Sequence, residues 1–240
     1  DDGRSIDEHL AEGFAGLAPN APATGGVVLR RTWLAVVGLP PPREVVLSFP
    51  DVPTDEEWSA AVDEVLHHEG FGEHWASMWL DLARYADTKG YEADRARTIW
   101  PWREWLVATL DTDPAFATLT EHMLAGDLLP EANAETRLAT AFHRNTMTND
   151  EGGTDDEEHR VAAVVDRVNT TMQVWMGFTA SCAQCHDHKY DPMTQREYFA
   201  LFDVFNQTAD ADRNDETPTI DVVSRSDPES DPVPVPVMEA

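Results

Sequence analysis

Apolar residues recur every three or four positions along most of the chain, which is the period of an amphipathic helix. After Thr54, the residues Trp58, Val62 and Val65 follow this period, and Glu57 is placed to form a capping box with Thr54. The same pattern predicts helices over residues 73–86, 101–110, 119–129, 135–142, 155–175 and 194–207. The sequence therefore predicts an all-α fold, a mostly helical single domain with long loops.

Three regions depart from the helical period. Gly70 and Gly72 are expected to separate two helices, and residues 43–49 carry the best of the weak strand signals. After Asn206 the chain becomes acidic and rich in proline, with few apolar side chains to bury. We therefore predict a helical domain over residues 1–206 and an extended acidic tail or linker over residues 207–240.

The charge of the chain excludes one class of partner. Its 240 residues include 17 Lys and Arg against 45 Asp and Glu, so the formal net charge is −28. So much acid repels the phosphate backbone, which excludes nucleic-acid binding. No run of residues approaches the roughly 20 apolar positions of a membrane-spanning helix. The 42% of hydrophobic residues are enough to form a sizeable core.

The basic residues are nearly all arginine, since Lys89 and Lys189 are the only lysines in the sequence. Carboxylates hold water and hydrated cations, whereas a flexible ammonium group adds little hydration in concentrated salt. The acidic residues are also spread along the whole chain rather than gathered in one run. This pattern favours a halophilic surface, and an acidic face for one basic partner is the alternative.

The two cysteines of the chain lie in one short motif, Cys182-Ala183-Gln184-Cys185-His186. This is the C-x-x-C-H pattern of c-type haem attachment, in which both thiols add to the haem vinyl groups. The adjacent imidazole then reaches the iron from the proximal side. The motif predicts one covalently bound haem c per chain, with His186 as an iron ligand.

Two other interpretations of the motif stay open. Cys182 and Cys185 would also suit a disulfide or redox pair, although the βαβ context of thioredoxin-like motifs is missing. Together with His186 and His188 they would form a chemically sound zinc set. Structural zinc sites normally draw their ligands from two separated pairs, however, and here all four residues lie between positions 182 and 188.

A second iron ligand has to come from elsewhere in the chain. His188 lies only two residues beyond His186, so we expect it to contact the haem on the same side. His143, which lies in a polar cluster with Arg144, is our candidate for the opposite face and a second iron ligand. Arg144 and Lys189 are candidates to neutralise the haem propionates, with surface solvation as the alternative for both. The remaining distal candidates are Met147, Met172, Met176 and Met193.

Several long blocks of the sequence resemble the second cytochrome-like domain of planctomycete-type multidomain proteins. The resemblance covers almost everything before the predicted tail. The motifs CAQCHDHKYDP and ATAFHRNTMTNDEGGTDDEEHR are the most specific of these blocks. The blocks span residues 30–41, 71–94, 99–105, 124–130, 139–160, 164–171 and 182–192.

The resemblance implies an exported protein whose family is named for its haem motif more than for a reaction. It also implies that the block around His143 and the haem motif form one shared site. The family pattern carries over to His143, Arg144, Asn145, Glu151, Gly152, Gly153, Cys182, Cys185, His186, Asp187, His188, Lys189 and Asp191.

Motif and resemblance together predict a periplasmic or extracellular monohaem protein that transfers electrons between redox partner proteins, within a larger complex or alone. We expect an electron-transfer protein or subunit more than a stand-alone enzyme. One alternative is a haem enzyme with an open distal site, in which His143 and Arg144 act on a peroxide or substrate. Another is a structural or binding domain with zinc or a disulfide at the motif.

The acidic surface leads to a first prediction, about salt. If the surface is halophilic, the free energy of unfolding rises steeply as the salt concentration increases into the molar range, because cations screen the repulsion among carboxylates. Thermal unfolding in a series of KCl concentrations measures this dependence. A stability that stays flat through molar salt would contradict the halophilic interpretation and favour an acidic face for a basic partner.

Overall fold

Helices dominate the described part of the chain, which comprises residues 3–14, 17, 20–210 and 213–239 of a computed structural model. About 53% of the structure is helical and its one named sheet has two strands. This confirms the predicted mostly helical fold. Among the described helices, none combines the length and the apolar character that crossing a membrane requires.

The chain divides into two compact units, Asp1–His68 and Glu69–Ala240, where the sequence predicts one helical domain up to residue 206. The smaller unit contains α1 (Ile6–Gly13), α2 (Gly25–Val36), α3 (Arg43–Ser48) and α4 (Asp55–Leu66). The larger unit contains α5 (Gly70–Ala83), α6 (Trp100–Asp111), α7 (Phe116–Ala125), α8 (Ala134–Ala139), α9 (Asp156–Thr171), α10 (Gln195–Asn206), β1 (Thr219–Val222) and β2 (Val233–Pro236).

In the smaller unit, one prediction is confirmed and one is wrong. The Thr54 side chain accepts a hydrogen bond from the Glu57 amide and the Glu57 carboxylate accepts one from the Thr54 amide, so the predicted capping box starts α4. Residues 43–49, however, form α3 rather than a strand. The Val46 amide donates to the Pro42 carbonyl, so the first helical turn begins at a proline, whose fixed φ suits a helix start.

The helices predicted on either side of Gly70 and Gly72 are separate, since α4 ends at Leu66 and α5 begins at Gly70, but Gly72 lies inside α5 rather than in the break. The Gly72 amide donates to the Asp111 carboxylate over 2.7 Å. A Cβ atom at Gly72 would lie 2.5 Å from the Val107 carbonyl oxygen. Glycine therefore allows α5 and α6 to approach closely, which a reading of glycine as a helix breaker misses.

The larger unit has two apolar clusters. The first packs α5 to α8 around the fully buried Trp102 and Phe142, and the second packs α9 against α10 around Val168 and Tyr198. The longest helix, predicted over 155–175, is confirmed as α9, which continues into a π-helical turn at Met172–Met176.

The C-terminal segment differs from the expected tail. Strand β1 pairs antiparallel with β2, with Ile220 opposite Val235, and Val235, Val237 and Met238 are buried. The low apolar content of residues 207–240 hides this, because the few valines are concentrated at its end. Prolines between the valines are tolerated because a two-stranded sheet has no central strand.

Buried arginines attach this segment to the helices. The Arg97 guanidinium forms an ion pair with Glu216, and both side chains are more than nine-tenths buried. Arg144 donates to the carbonyl oxygens of Val237 (2.9 Å) and Glu216 (3.0 Å). A polar network therefore fixes the C-terminal segment beside its apolar contacts.

We predict that Glu216→Gln destabilises the protein by about 3 kcal/mol, because it leaves the Arg97 charge buried without its carboxylate. Chemical denaturation of the wild type and the variant measures the difference. Glu229→Gln is the matched control, since Glu229 is exposed in the same segment and its substitution should change stability little. Equal effects of the two substitutions would contradict a structural role of the ion pair.

Candidate functional site

The C-x-x-C-H motif lies on the surface, shortly after α9. A 3₁₀ turn at Ala180–Gln184 buries Ala180 and Ala183 completely in the second apolar cluster. Cys182 and Cys185 are exposed free thiols. A 3₁₀ turn has three residues per turn, so residues three apart lie on the same side. The buried alanines therefore turn both thiols toward solvent on one face, as attachment of one group at two points requires.

His186 is exposed, and its ring is fixed by a backbone contact. Its Nδ1 lies 2.8 Å from the Asp187 carbonyl oxygen. Because a carbonyl only accepts, Nδ1 carries a hydrogen, and in the neutral ring Nε2 then keeps its lone pair. Metal-binding histidines commonly use this arrangement, in which a backbone carbonyl holds one ring nitrogen and the other binds the metal. Two surface thiols and this imidazole fit the donor set of a c-type haem.

His188 is hydrogen-bonded to the loop that follows the motif. Its Nδ1 accepts a hydrogen bond from the Asp191 amide over 2.9 Å, so its remaining ring nitrogen carries the hydrogen. The Phe178 ring packs on it with a centroid distance of 6.0 Å. The neighbouring Lys189 is exposed, with its ammonium 5.0 Å from the Tyr190 ring centroid.

His143 lies in the core. It is 2% exposed and packs between Phe142 and Phe205, with ring centroid distances of 5.1 and 4.8 Å. Within the described part of the chain, neither ring nitrogen has a hydrogen-bond partner. Burial, and then the nearby positive charges of Arg167 and Arg84, lower the pKa of His143 to about 3. The imidazole is therefore neutral at physiological pH.

His143 and the C-x-x-C-H motif contact opposite ends of α10. The motif lies at the start of α10, where Gln195 donates from its side chain to the Gln184 carbonyl (3.0 Å) and from its amide to the Asp187 carboxylate (2.9 Å). His143 contacts Phe205, ten residues further along the helix. At 1.5 Å per residue these two points of contact lie about 15 Å apart along the helix axis, and the role of His143 as an iron ligand stays a prediction.

The other candidates occupy varied environments. Arg144, proposed for a propionate, is buried, and burial lowers its pKa to about 10. Its guanidinium is engaged with the carbonyls of Val237 and Glu216. Of the four methionines, Met193 is buried, Met172 is half-buried, and Met147 and Met176 are exposed.

Sequence reasoning missed a cavity of about 330 Å³ formed by three separate segments. Its lining includes Arg84 after α5, Asn145 after α8 and Asp166 on α9. Arg84 forms an ion pair with Asp166, yet burial of this carboxyl outweighs the ion pair and raises its pKa. Only the folded chain brings these residues together.

The zinc alternative requires converging ligands. In the described ranges, no three or more His, Cys, Asp or Glu side chains are grouped so that they would hold a metal ion. Cys182, Cys185, His186 and His188 are therefore not gathered around one point in this arrangement.

The chain belongs to the PSCyt2 family, described as a protein of unknown function (DUF1549), whose model matches residues 4–210. The match covers nearly all of the helical part of the chain. Searches of curated proteins and of solved structures each gave no match. The family thus defines a class by its cytochrome-like name and leaves the activity of this protein to be argued from its residues.

The buried position of His143 predicts a pH dependence of stability. Its folded pKa of about 3 lies below the ordinary value of about 6.5, so between these values the unfolded chain binds one proton more. The stabilisation from the neutral imidazole is complete above pH 6.5 and falls by about 1.4 kcal/mol per pH unit toward pH 3. We predict that His143→Phe removes this part of the slope, measured by denaturant unfolding at several pH values.

His67→Phe is the control, because His67 is exposed and its substitution should leave the pH dependence as in the wild type. Equal slopes in the wild type and His143→Phe would contradict the assignment of a neutral core histidine. A change in the haem spectrum of His143→Phe would instead favour its role as an iron ligand.

Proposed function

We propose that this chain is an extracytoplasmic monohaem protein with covalently attached haem c and that it transfers single electrons. The observation that carries this proposal is the motif itself. Cys182 and Cys185 are free thiols on one exposed face, and the adjacent His186 keeps the lone pair of Nε2 available. The cytochrome-like family supports the same class.

The roles of the residues follow from this arrangement. Cys182 and Cys185 hold the macrocycle, and His186 binds the iron through Nε2 while the Asp187 carbonyl fixes the ring orientation. Bound haem supplies a one-electron redox couple. Lys189 is an exposed cation beside the motif and would approach a propionate. Arg144 is instead hydrogen-bonded to the C-terminal segment.

The charge of the chain supports redox partner proteins as its partners. A net charge of −28 attracts a basic protein surface and raises the rate of encounter, provided that the salt concentration is moderate. Covalent attachment of haem takes place after export, so we infer a periplasmic or extracellular location. The same charge repels an acidic partner.

A second function is favoured by the position of His143. The contacts of His143 and of the motif lie about 15 Å apart along α10, and a haem held by Cys182, Cys185 and His186 without His143 would be able to bind small ligands. Such a site binds small ligands, as in haem enzymes that act on peroxide or a substrate. In this alternative the acid and charge roles that we assigned to His143 and Arg144 need other residues.

We predict that chain produced together with a c-type haem maturation system keeps the added mass of haem after denaturation. Cys182→Ala/Cys185→Ala should lose the covalent haem, because no thiol remains to hold it. His186→Ala should keep covalent haem but change its absorption spectrum. Intact mass and spectra of the oxidised and reduced protein measure both effects, and His67→Asn is the control for a histidine remote in sequence from the motif.

The same measurements separate the remaining alternatives. A low-spin spectrum unaffected by cyanide or carbon monoxide favours the electron carrier, and a high-spin spectrum that changes with either ligand favours the enzyme. An unmodified mass without a Soret band would overturn the haem proposal. Zinc without iron, or a disulfide between the cysteines, would then assign the motif to a structural or binding domain.

A further inference from the structure

Five aromatic side chains of the larger unit form a continuous series of ring contacts. In order they are Trp79, Trp175, Phe142, Trp102 and Tyr85, with successive centroid distances of 5.9, 5.0, 6.2 and 6.3 Å. Phe142 and Trp102 are buried, whereas Trp79, Trp175 and Tyr85 are half-buried. The series therefore connects a partly exposed indole to a partly exposed phenol through the centre of the core.

The N–H and O–H groups of these rings differ in the groups that accept their hydrogens. The Trp102 Nε1–H is buried and has no hydrogen-bond partner among the described residues. The Trp175 Nε1–H donates to the Thr120 hydroxyl over 3.0 Å, which is not a base. Tyr85, in contrast, donates its phenolic hydrogen to the Asp87 carboxylate. Of these three groups, only the one at the end of the series has a proton acceptor.

This inequality matters because the oxidation of the two ring types differs. An indole that loses an electron forms a radical cation, which is trapped as a neutral radical only if a base takes its proton. Trp102 has no base, so an electron hole there stays mobile. A phenol loses its proton when it is oxidised, and Asp87 is in place to receive it. A buried donor without a hydrogen-bond partner destabilises a fold by about 1–3 kcal/mol. Apolar packing alone does not explain why the chain keeps an indole N–H at this position.

We propose that this series of rings conducts an electron hole from Trp79 and Trp175 to Tyr85. Phe142 is not oxidised and bridges one tunnelling step between Trp175 and Trp102. In the final step, one electron passes from Tyr85 to the oxidised Trp102 while the phenolic proton moves to Asp87. The products are a neutral tyrosyl radical, an intact indole and a protonated carboxyl group.

The oxidant is a one-electron oxidant strong enough to oxidise an indole, such as a radical, and it gains the one electron that the series loses. The conduction itself depends only on the five rings and on Asp87. Burial, followed by the hydrogen bond to Asp87, raises the pKa of Tyr85 well above its ordinary value. The phenol therefore stays protonated at neutral pH and releases its proton only together with the electron.

Pulse radiolysis with the azide radical tests the proposal without haem. This one-electron oxidant forms tryptophan radicals on the protein, and transient absorption then follows their conversion into the tyrosyl radical. We expect a first-order growth of tyrosyl radical whose rate does not depend on protein concentration. Such behaviour shows that the electron moves within one molecule.

Two substitutions with matched controls locate the path. Tyr85→Phe should lose most of this growth, whereas Tyr190→Phe, at a tyrosine that is 82% exposed, should keep it. Trp102→Phe should slow the growth, and Trp105→Phe, at a buried tryptophan three residues further along α6, should not. Asp87→Asn should slow it and reduce its solvent isotope effect. Thermal unfolding shows whether each variant is folded.

Growth that persists in Tyr85→Phe would overturn the proposal, and so would an unchanged rate in folded Trp102→Phe. If Trp102→Phe does not fold, the growth of tyrosyl radical in Tyr85→Phe and in Asp87→Asn decides whether the proposal holds. An unmodified mass without a Soret band overturns the haem proposal and leaves this radical transfer untouched. The two failures are therefore distinguishable.

Discussion

The larger unit depends on satisfying the carbonyl groups of an irregular segment in its interior. Residues 143–149 run from the end of the 3₁₀ turn Thr140–Arg144 into an irregular segment, and they are largely buried. Arg167 donates to the His143 carbonyl (3.1 Å), and Arg97 donates to the carbonyls of Arg144 (2.6 Å) and Thr146 (2.8 Å). Without such donors, each buried carbonyl would lose a hydrogen bond with water and gain none.

The same guanidinium groups explain why distant parts of the chain fold together. Each buried charge needs a counter-charge, and the carboxylates come from the C-terminal region, where Asp210 pairs with Arg167 and Glu216 with Arg97. The partner at Asp210 lies just after α10, and Glu216 lies just before β1. The hydrogen bonds to Arg167 hold the pKa of Asp210 far below its usual range against the effect of burial. A chain that is strongly acidic overall therefore keeps three arginines, Arg97, Arg144 and Arg167, buried in its interior, where they bind the irregular segment and the C-terminal region.

These features show which parts of the fold the sequence predicts. Helices with a clear apolar period and a local cap, such as α4 after Thr54 and α10 after Thr194, are readable because their signals lie within a few residues. The local sequence does not predict the hairpin, because its stability comes from contacts with residues far away in the chain, such as those of Arg144 with Val237 and Glu216, 93 and 72 positions apart. Gly72 was misread for a similar reason, since its role is set by α6 and not by α5.

The candidate site likewise has one part that the local sequence predicts and one part that it does not. The C-x-x-C-H motif is a local signal, and the structure adds only the direction of its thiols and the hydrogen bond of the His186 ring. The polar block at His143, Arg144 and Asn145 also looks like a site in the sequence, because buried polar residues and ligands have the same composition. In the fold, Arg144 binds the hairpin and the Asn145 amide donates to the Ala141 and Phe142 carbonyls. The resemblance joins two blocks into one site, and their environments in the fold differ. The C-x-x-C-H motif exposes its thiols to solvent, whereas Arg144 and Asn145 form hydrogen bonds in the buried interior.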